Sequence, residues 1–436
     1  MTDLPPFSAV ERESLEQIEA YFDRLWPLPR SITGDGVRQT HNILNELVTL
    51  RRIEIPTGTR VFDWEIPSEW RVRAAYIVGP EGQRLVDYAD NNLHLVNYSR
   101  PFRGRLSLAD LNPHLHTIPD LPTAIPYLTS YYAPQWGFCL SAETHAKMTE
   151  GDYEVVVDTE LINGSLTMSD SVLPGSSGTE VLISTYTCHP SLANNELSGP
   201  LVAAFLYRRL AQLPQRRLTF RFVFVPETIG AIAYLSLYGD HLVENLEAGY
   251  VLTCVGTKAP FTLKRSRRGD SAADRAAEYV LTGRGEPFRT ISFSPSGSDE
   301  RQYCSPGFNL PVSVVTRSFT EYPEYHSSLD NKQLICFEAI RETVDVYFEI
   351  CRILDSNIEY RSLKPNGEPF LTRYQLQSTL GGQRDRNERL RTLKWLLNLC
   401  DGQHDLLAIA ERSGSDYWLL QSLADECTRA GLLVGA

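Results

Sequence analysis

Residues 181–199, VLISTYTCHPSLANNELSG, decide the fold that the sequence predicts. The first six residues form a β-branched and apolar run, which is typical of a strand buried on both faces of a sheet. The run ends at His189-Pro190, a polar loop follows, and the next apolar segment, residues 201–210, has a helical pattern. A histidine at the carboxyl end of a central parallel strand lies where open α/β sheets place ligand sites. The alternative is a strand-loop-helix connection in which His189 has a structural hydrogen bond and no other role.

Strand and helix patterns alternate along the chain after this stretch. Further strands are predicted at 218–225, 249–255 and 310–315, and helices at 231–238, 272–281 and 334–354. Such alternation predicts an α/β domain whose parallel sheet has helices on both faces.

Changes in composition divide the chain into three domains. Residues 66–165 contain short period-two strands and are rich in aromatic residues and proline, which predicts an inserted, mainly β domain. Its Tyr131, Tyr132 and Trp136 could form a lid over a substrate site or could pack in a core. The main domain is then discontinuous, with residues 1–65 and 166–362. After a turn-rich boundary at 364–369, residues 370–436 contain three helices in a winged-helix pattern.

Composition and charge argue against several classes of function. The 436 residues contain no apolar run long enough for a membrane span, and the first residues lack the basic and apolar segments of a secretion signal. The eight cysteines form no CxxC pairs, so we expect reduced core thiols in a cytoplasmic protein. A net charge of -12, with Asp416, Asp425 and Glu426 against Arg429 in the last helix, argues against nucleic-acid binding. We expect the winged helix to contact protein instead.

Polar side chains follow each predicted strand and should converge on one edge of the sheet. The set includes His189, Asn195, Glu196, Glu227 and His326. Two histidines with one or two carboxylates are the usual ligands of a catalytic zinc ion that keeps an open position for water. A further carboxylate, Glu227, could be the general base. No two of these ligands have a diagnostic spacing such as HExxH, so polar residues without a metal stay an open alternative.

The motif order resembles that of the co-catalytic zinc aminopeptidases of the aminopeptidase-like clan: His189, then 195–199, 227–230, Ser298-Asp299, Tyr325-His326 and Asp330. Four segments carry a closer resemblance. They are RSITG at 30–34, CHPSLANNELSGP at 188–200, GSDERQYCSPG at 297–307 and YPEYHSSLDN at 322–331. Over nearly its whole length the chain also resembles aminopeptidase-like proteins that have an inserted domain of unknown function and a C-terminal winged helix, a family often linked to polysaccharide biosynthesis. The resemblance implies a zinc-exopeptidase-like mixed sheet with helices on both faces.

The resemblance also implies roles for individual residues. His189 matches the first zinc ligand, His326 the last, and Glu227 the catalytic base. Asn195 occupies the position of the carboxylate that bridges two metal ions, with Glu196 beside it. Thr228 and Thr253 stand where two further carboxylates would be. Since amide and hydroxyl groups do not neutralise two Zn²⁺ ions, we expect one zinc ion, bound by His189 and His326, with Asn195 or Glu196 completing the shell.

Two functions of different classes follow. The first is a metal-dependent amide hydrolase, an aminopeptidase or a deacylase, acting on a small peptide, an amino sugar or a modified small molecule. The second is a scaffold without catalysis that binds a saccharide or a partner protein. Candidate substrate-binding residues, for each of which a structural role is an equal alternative, are Arg301, Tyr303, Arg317 and Tyr325. We expect a small-molecule or peptide substrate and a homo-oligomer, and no membrane or nucleic-acid partner.

Overall fold

A mixed β-sheet organises the largest part of the molecule. The computed structural model describes residues 10–319, 321–376 and 384–435. The strands are β1 (Arg51–Pro56), β2 (Arg60–Val61), β3 (Trp64–Glu65), β4 (Glu69–Val78), β5 (Arg84–Asp87), β6 (Phe102–Ser107), β7 (Leu115–His116), β8 (Phe138–Cys139), β9 (Asp152–Ile162), β10 (Ser165–Leu173), β11 (Glu180–Tyr186), β12 (Thr219–Val225), β13 (Leu246–Leu252), β14 (Thr262–Lys264), β15 (Arg289–Ile291), β16 (Val312–Thr316), β17 (Glu359–Ser362), β18 (Asp401–Asp405) and β19 (Leu433–Gly435). The helices are α1 (Leu15–Leu25), α2 (Asp35–Leu44), α3 (Leu108–Leu111), α4 (Ala142–Ala146), α5 (Ser198–Ala211), α6 (Ile229–Asn245), α7 (Ala272–Gly283), α8 (Glu300–Tyr303), α9 (Phe337–Ser356), α10 (Arg384–Leu399), α11 (Leu406–Ser413) and α12 (Tyr417–Arg429).

The main sheet has parallel strands at its centre and antiparallel strands toward its edges. Within the described residues its order is β1-β10-β12-β11-β13-β16-β14-β15. Strands β12, β11, β13 and β16 run parallel, whereas β10 and β14 are antiparallel to their central neighbours. All seven residues of β11 are buried, as expected for a strand covered on both faces. The predicted α/β class and mixed sheet are confirmed.

The segment between β1 and β10 forms a second sheet, of order β5-β4-β9-β6. Its long strands β4 and β9 pair antiparallel from Glu69↔Ile162 to Val78↔Glu154. This sheet lies within the predicted inserted domain of residues 66–165, and we call residues 66–165 the inserted module.

The C-terminal part has the predicted winged-helix architecture, with α10, α11 and α12 beside a sheet of order β18-β17-β19. Strand β17 pairs with both β18 and β19. The structural unit therefore begins before residue 370, the start predicted from sequence. The turn-rich residues 364–369 follow the first strand of the unit and do not separate two domains.

Hydrophobic packing continues from the main sheet into this C-terminal unit. Ile353 of α9, Leu407 of α11 and Tyr417 of α12 belong to one cluster of buried side chains. No helix among the described residues is both long enough and apolar enough to cross a membrane.

Candidate metal centre

His189 lies just beyond the carboxyl end of β11, in the loop that leads to α5. A turn of π-helix, Ala193–Leu197, precedes α5 and is wholly buried. The Asp330 carboxylate accepts hydrogen bonds from the backbone amides of Asn194 at 2.7 Å and Asn195 at 2.9 Å. These bonds satisfy amides that a helix N-terminus leaves without partners, and they hold Asn195 and Glu196 beside His189.

Both nitrogens of the His189 ring face acidic side chains. Nδ1 lies 3.0 Å from Oε2 of Glu196, and Nε2 lies 3.6 Å from Oε2 of Glu227. The sulfur of Cys188 is 3.3 Å from Nδ1. Burial lowers the pKa of His189, but the Glu196 carboxylate outweighs burial, so the pKa is raised overall.

Arg30 contacts both the His189 backbone and the Glu196 carboxylate. Its Nε donates to the His189 carbonyl at 2.9 Å and also lies 3.6 Å from Oε1 of Glu196. The side chains of Arg30 and Glu196 are both 0% exposed. Burial raises the pKa of Glu196, and the neighbouring His189 and Arg30 oppose that shift. The RSITG segment therefore supplies a buried cation to the site.

Glu227 follows β12 and is held by residues on the loop before α8. Ser298 Oγ donates to Glu227 Oε1 at 2.9 Å, and the Thr228 amide donates to Asp299 Oδ1 at 2.7 Å. Arg301 Nη2 donates to Thr228 Oγ1 at 2.7 Å. Burial, and then the charge of Glu227, raises the pKa of Asp299 well above its usual range.

His326 completes the group from the loop after β16. Its ring centroid is 5.4 Å from that of His189, and it stacks on Tyr325 at 3.9 Å. Burial, and then the neighbouring His189, lowers the pKa of His326 to about 3. The neutral ring has a lone pair that can bind a cation.

The inserted module contacts both histidines through Tyr127. The Tyr127 ring centroid lies 5.0 Å from His189 and 5.3 Å from His326. The Tyr127 amide donates to the His326 carbonyl at 2.8 Å, and the Tyr127 and Tyr131 hydroxyls are 2.8 Å apart. Tyr127 thus forms a wall of the site.

The other aromatic residues that we considered for a lid have different surroundings. Trp136 stacks between Phe102 and His114 inside the module. Tyr132 is 54% exposed and packs against Trp64.

The structure brings some of the predicted substrate-binding residues to the site and buries others. Arg301 bonds to Thr228, and Tyr325 stacks on His326. Tyr303, by contrast, is 0% exposed, and its hydroxyl lies 2.9 Å from Ser184 Oγ. Tyr303 therefore has no exposed surface for a substrate.

Arg317 is also engaged in internal contacts. Its Nε donates to Thr343 Oγ1 at 3.2 Å, and its guanidinium covers the ring of Phe261 at 3.9 Å. The same guanidinium pairs with Glu342. These contacts explain Arg317 without a substrate.

Several buried donor atoms around His189 fit a cation. Within the described residues, no hydrogen-bond partner is found for Oδ1 of Asn195, either carboxylate oxygen of Glu196, Oδ2 of Asp299, or Nε2 of His326. Buried polar atoms are rarely left without a partner, and nitrogen and oxygen donors of these types bind Zn²⁺. The donor set therefore fits the predicted metal.

Comparison with known proteins identifies the family. A family model described as a domain of unknown function, DUF4910, matches residues 19–357, and a winged helix-turn-helix model matches residues 358–435. The chain belongs to the DUF4910 family.

A named relative and two solved structures show which fold this DUF4910 chain has. A Clostridium acetobutylicum protein, provisionally named a polysaccharide biosynthesis protein with an aminopeptidase-like domain, is 38% identical over 433 residues, 99% of each chain. A crystal structure of a provisionally named peptidase from the same organism has a TM-score of 0.89 at 38% identity and covers 97% of this chain and 96% of its own. A zinc aminopeptidase from Bacillus subtilis has a TM-score of 0.55 at 12% identity and covers 77% of this chain and 94% of its own. The fold is thus aminopeptidase-like, as the resemblance implied.

Cys188 is the close neighbour of His189 that sequence reasoning assigned to the core. Its sulfur, a ring nitrogen of His189 and a carboxylate oxygen of Glu196 all lie within 4.8 Å of one another. The signal in the sequence was the Cys-His pair at the end of a buried strand. The eight cysteines are scattered along the chain without CxxC pairs, so their spacing provided no reason to single out Cys188.

Proposed function

We propose that this DUF4910 protein is a metal-dependent hydrolase of an amide bond, an aminopeptidase or deacylase acting on a small peptide, an amino sugar or a modified small molecule. The observation that supports this most is the set of buried, unpartnered donor atoms on Asn195, Glu196 and His326, next to His189 and Glu227. Burying polar atoms without hydrogen bonds is costly to folding. Arg30 offsets part of this cost at Glu196, and a bound cation would offset the remainder.

His189, Glu196 and His326, with Asn195, would hold one zinc ion. Zinc in such a site polarises a carbonyl group and makes water a better nucleophile. A second ion lacks anionic ligands, since Thr228 and Thr253 replace carboxylates of the two-metal sites that this sequence resembles. Their hydroxyls are also engaged, with Arg301 at 2.7 Å and Tyr186 at 2.6 Å respectively.

Glu227 is the proposed general base. Ser298 fixes one of its carboxylate oxygens, while the other faces His189. Its side chain is 23% exposed, so water and substrate can reach it. A carboxylate placed there can take a proton from the attacking water and pass it to the leaving nitrogen.

The inserted module is proposed to select the substrate, because Tyr127 packs on both histidines. Arg301, which donates to Thr228, and Tyr325, which stacks on His326, are proposed to contact the substrate's polar groups.

A scaffold without catalysis, which binds a saccharide or a partner protein, is the second candidate. The observation that favours it is the loss of anionic groups at Asn195, Thr228 and Thr253.

Metal analysis combined with turnover separates the candidates. The Glu227→Gln variant should keep one zinc ion per chain and should hydrolyse aminoacyl anilides or N-acyl amino sugars about 10²–10⁴-fold more slowly than the wild type. The exposed Glu244→Gln on α6 is the matched control and should behave as wild type. Loss of metal from Glu227→Gln would make Glu227 a ligand. Two tightly bound ions would refute the single-ion site, and failure to bind zinc would favour the scaffold.

A further inference from the structure

We infer that Cys188 binds the metal as a thiolate, so that the ion has sulfur, nitrogen and oxygen ligands from Cys188, His189 and Glu196. This inference rests on the proposed metal site and adds a ligand to it. All three side chains are buried: Cys188 and Glu196 are each 1% exposed and His189 is 5% exposed. Their donor atoms lie within 4.8 Å of one another.

The spacing of the three donor atoms is close to that around one tetrahedral ion. Zinc bonds of about 2.0–2.3 Å place neighbouring ligand atoms roughly 3.3–3.8 Å apart. In the structure His189 Nδ1 lies 3.0 Å from Glu196 Oε2 and 3.3 Å from Cys188 Sγ. A small outward movement of the side chains would therefore admit the ion.

A second observation independent of the sulfur points to the same position. The Glu196 carboxylate is aimed at His189, with Oε2 at 3.0 Å from Nδ1 and Oε1 at 3.6 Å from Arg30 Nε, so this anion faces the position that the ion would take. The Glu227 amide also donates to Cys188 Sγ at 3.2 Å. Hydrogen bonds from backbone amides to the ligand atoms are the outer-shell interactions that stabilise metal-bound ligands.

Charge explains why a thiolate is useful here. The residues Asn195, Thr228 and Thr253 are neutral, so Glu196 alone leaves a divalent ion with one negative ligand. The Cys188 thiolate supplies the second negative charge. On binding, the thiol S–H bond breaks, a sulfur–metal bond forms, and the proton leaves to solvent.

A thiolate also determines which ions can bind. Soft sulfur ligands favour zinc and its spectroscopic substitute Co²⁺, whereas Mg²⁺ and Ca²⁺ prefer oxygen ligands. We therefore expect binding of Zn²⁺ and Co²⁺, and no competition from millimolar Mg²⁺.

Cobalt titration of the metal-stripped, full-length protein tests the inference. The wild type should develop a near-ultraviolet band from thiolate-to-cobalt charge transfer, and Cys188→Ser should lose this band and bind zinc more than about 100-fold less tightly, beyond the usual effect of outer-shell changes. The matched control is Cys254→Ser, because Cys254 is also buried and lies 3.8 Å from Asn195 Nδ2. It should keep the band.

X-ray absorption at the zinc edge of the wild type needs no variant and stays decisive if Cys188→Ser fails to fold. A sulfur neighbour at about 2.3 Å would support the inference. Bound zinc with nitrogen and oxygen neighbours alone would overturn it and leave the proposed hydrolase intact. Failure to bind any metal would overturn both.

Discussion

Four of the described residues around His189 have left-handed backbone conformations that residues other than glycine rarely adopt. The φ angles are 45° at Ser191, 65° at Thr228, 52° at Cys254 and 54° at His326. Each such residue costs about 1–3 kcal/mol, and residues of this kind cluster at functional sites. At Thr228, whose side chain is β-branched, the bond from its amide to Asp299 offsets part of that cost. These strained residues therefore lie near the candidate metal ligands.

The Arg30→Met variant should lose stability because it leaves the buried Glu196 carboxylate without its cation. Arg30 and Glu196 are both fully buried, and Arg30 also donates to the carbonyls of Leu25 and His189. Breaking a buried pair in this way costs about 3–5 kcal/mol. Urea unfolding followed by circular dichroism measures the change in the free energy of unfolding.

Arg24→Met is the matched control for this change. Arg24 pairs with Glu46 on the surface, where both side chains are 46% exposed. Exposed pairs contribute about 0–1 kcal/mol. Equal losses for the two arginine variants would show that burial of the Arg30 pair does not matter.

The sequence predicted which residues lie at the site better than which way their side chains point. The rule that polar residues after parallel strands converge placed His189, Glu227 and His326 correctly beside one another. Arg301 and Tyr303 were both candidates for substrate binding, with a structural role as the alternative for each. These two residues are two positions apart on α8, so they point to different sides of the helix. Arg301 reaches Thr228, whereas Tyr303 points into the core.

At the scale of elements, helix α2 is joined to the main sheet by a buried histidine. His41 Nδ1 lies 2.8 Å from Ser169 Oγ on β10, and its Nε2 lies 2.9 Å from Thr187 Oγ1, which follows β11. Burial, and then the charge of Arg52, lowers the pKa of His41 to about 3. In the folded protein this histidine is therefore neutral throughout the weakly acidic range.

This depressed pKa predicts a loss of stability in acid. Between pH 6.5 and 3 the unfolded chain binds a proton at His41 and the folded chain does not. The contribution of His41 to the free energy of unfolding is therefore complete above pH 6.5 and falls as pH decreases. The slope should be about 1.4 kcal/mol per pH unit. The slope due to His41 is obtained from the difference between the wild type and His41→Gln in the free energy of unfolding, measured by urea denaturation at several pH values. His145→Gln, at a histidine near the surface, should leave the slope unchanged, and an equal slope in His41→Gln would contradict the prediction.

Helix α12 occupies the position of a recognition helix, but its first residues are bound to the main domain. The Tyr417 hydroxyl is 3.0 Å from Ser356 Oγ, and the Arg352 guanidinium lies 4.2 Å from the centroid of Trp418. In helix-turn-helix proteins the corresponding N-terminal residues contact base edges.

We therefore expect the full-length protein to show no shift of duplex DNA in mobility assays at low salt. Trp418→Ala is a useful companion variant, because it opens the start of α12 and leaves the acidic Asp425 and Glu426 in place. It should not bind DNA either. Tight, salt-sensitive binding by the wild type would contradict this expectation.

At the scale of the whole molecule, the winged helix and the main domain should unfold together. Tyr417 is 0% exposed and lies in the hydrophobic cluster that continues from α9. Tyr417→Ala should lower the free energy of unfolding by about 3–5 kcal/mol, and Tyr417→Phe, which loses hydrogen bonds alone, by about 1 kcal/mol. Calorimetry of the wild type should show one transition. Two well-separated transitions would mean that the domains are independent.

The sequence predicted the mixed α/β sheet and the C-terminal winged helix, but not where the winged-helix unit begins. Alternating strand and helix patterns were strong because β11 and β12 are long and buried on both faces. Strand β14 and the edge strand β15 have three residues each, too few for any periodicity to be visible. Strand β17 was missed in the winged helix because its partners β18 and β19 are distant in sequence.

The inserted module leaves and re-enters the main sheet at neighbouring points, since β1 and β10 pair antiparallel up to Pro56↔Ser165. A segment whose two ends are already side by side can be lengthened, shortened or replaced without changing the register of any other strand. Evolution or engineering could therefore change what approaches His189 by replacing one continuous stretch of the gene. The residues of the main sheet would stay as they are.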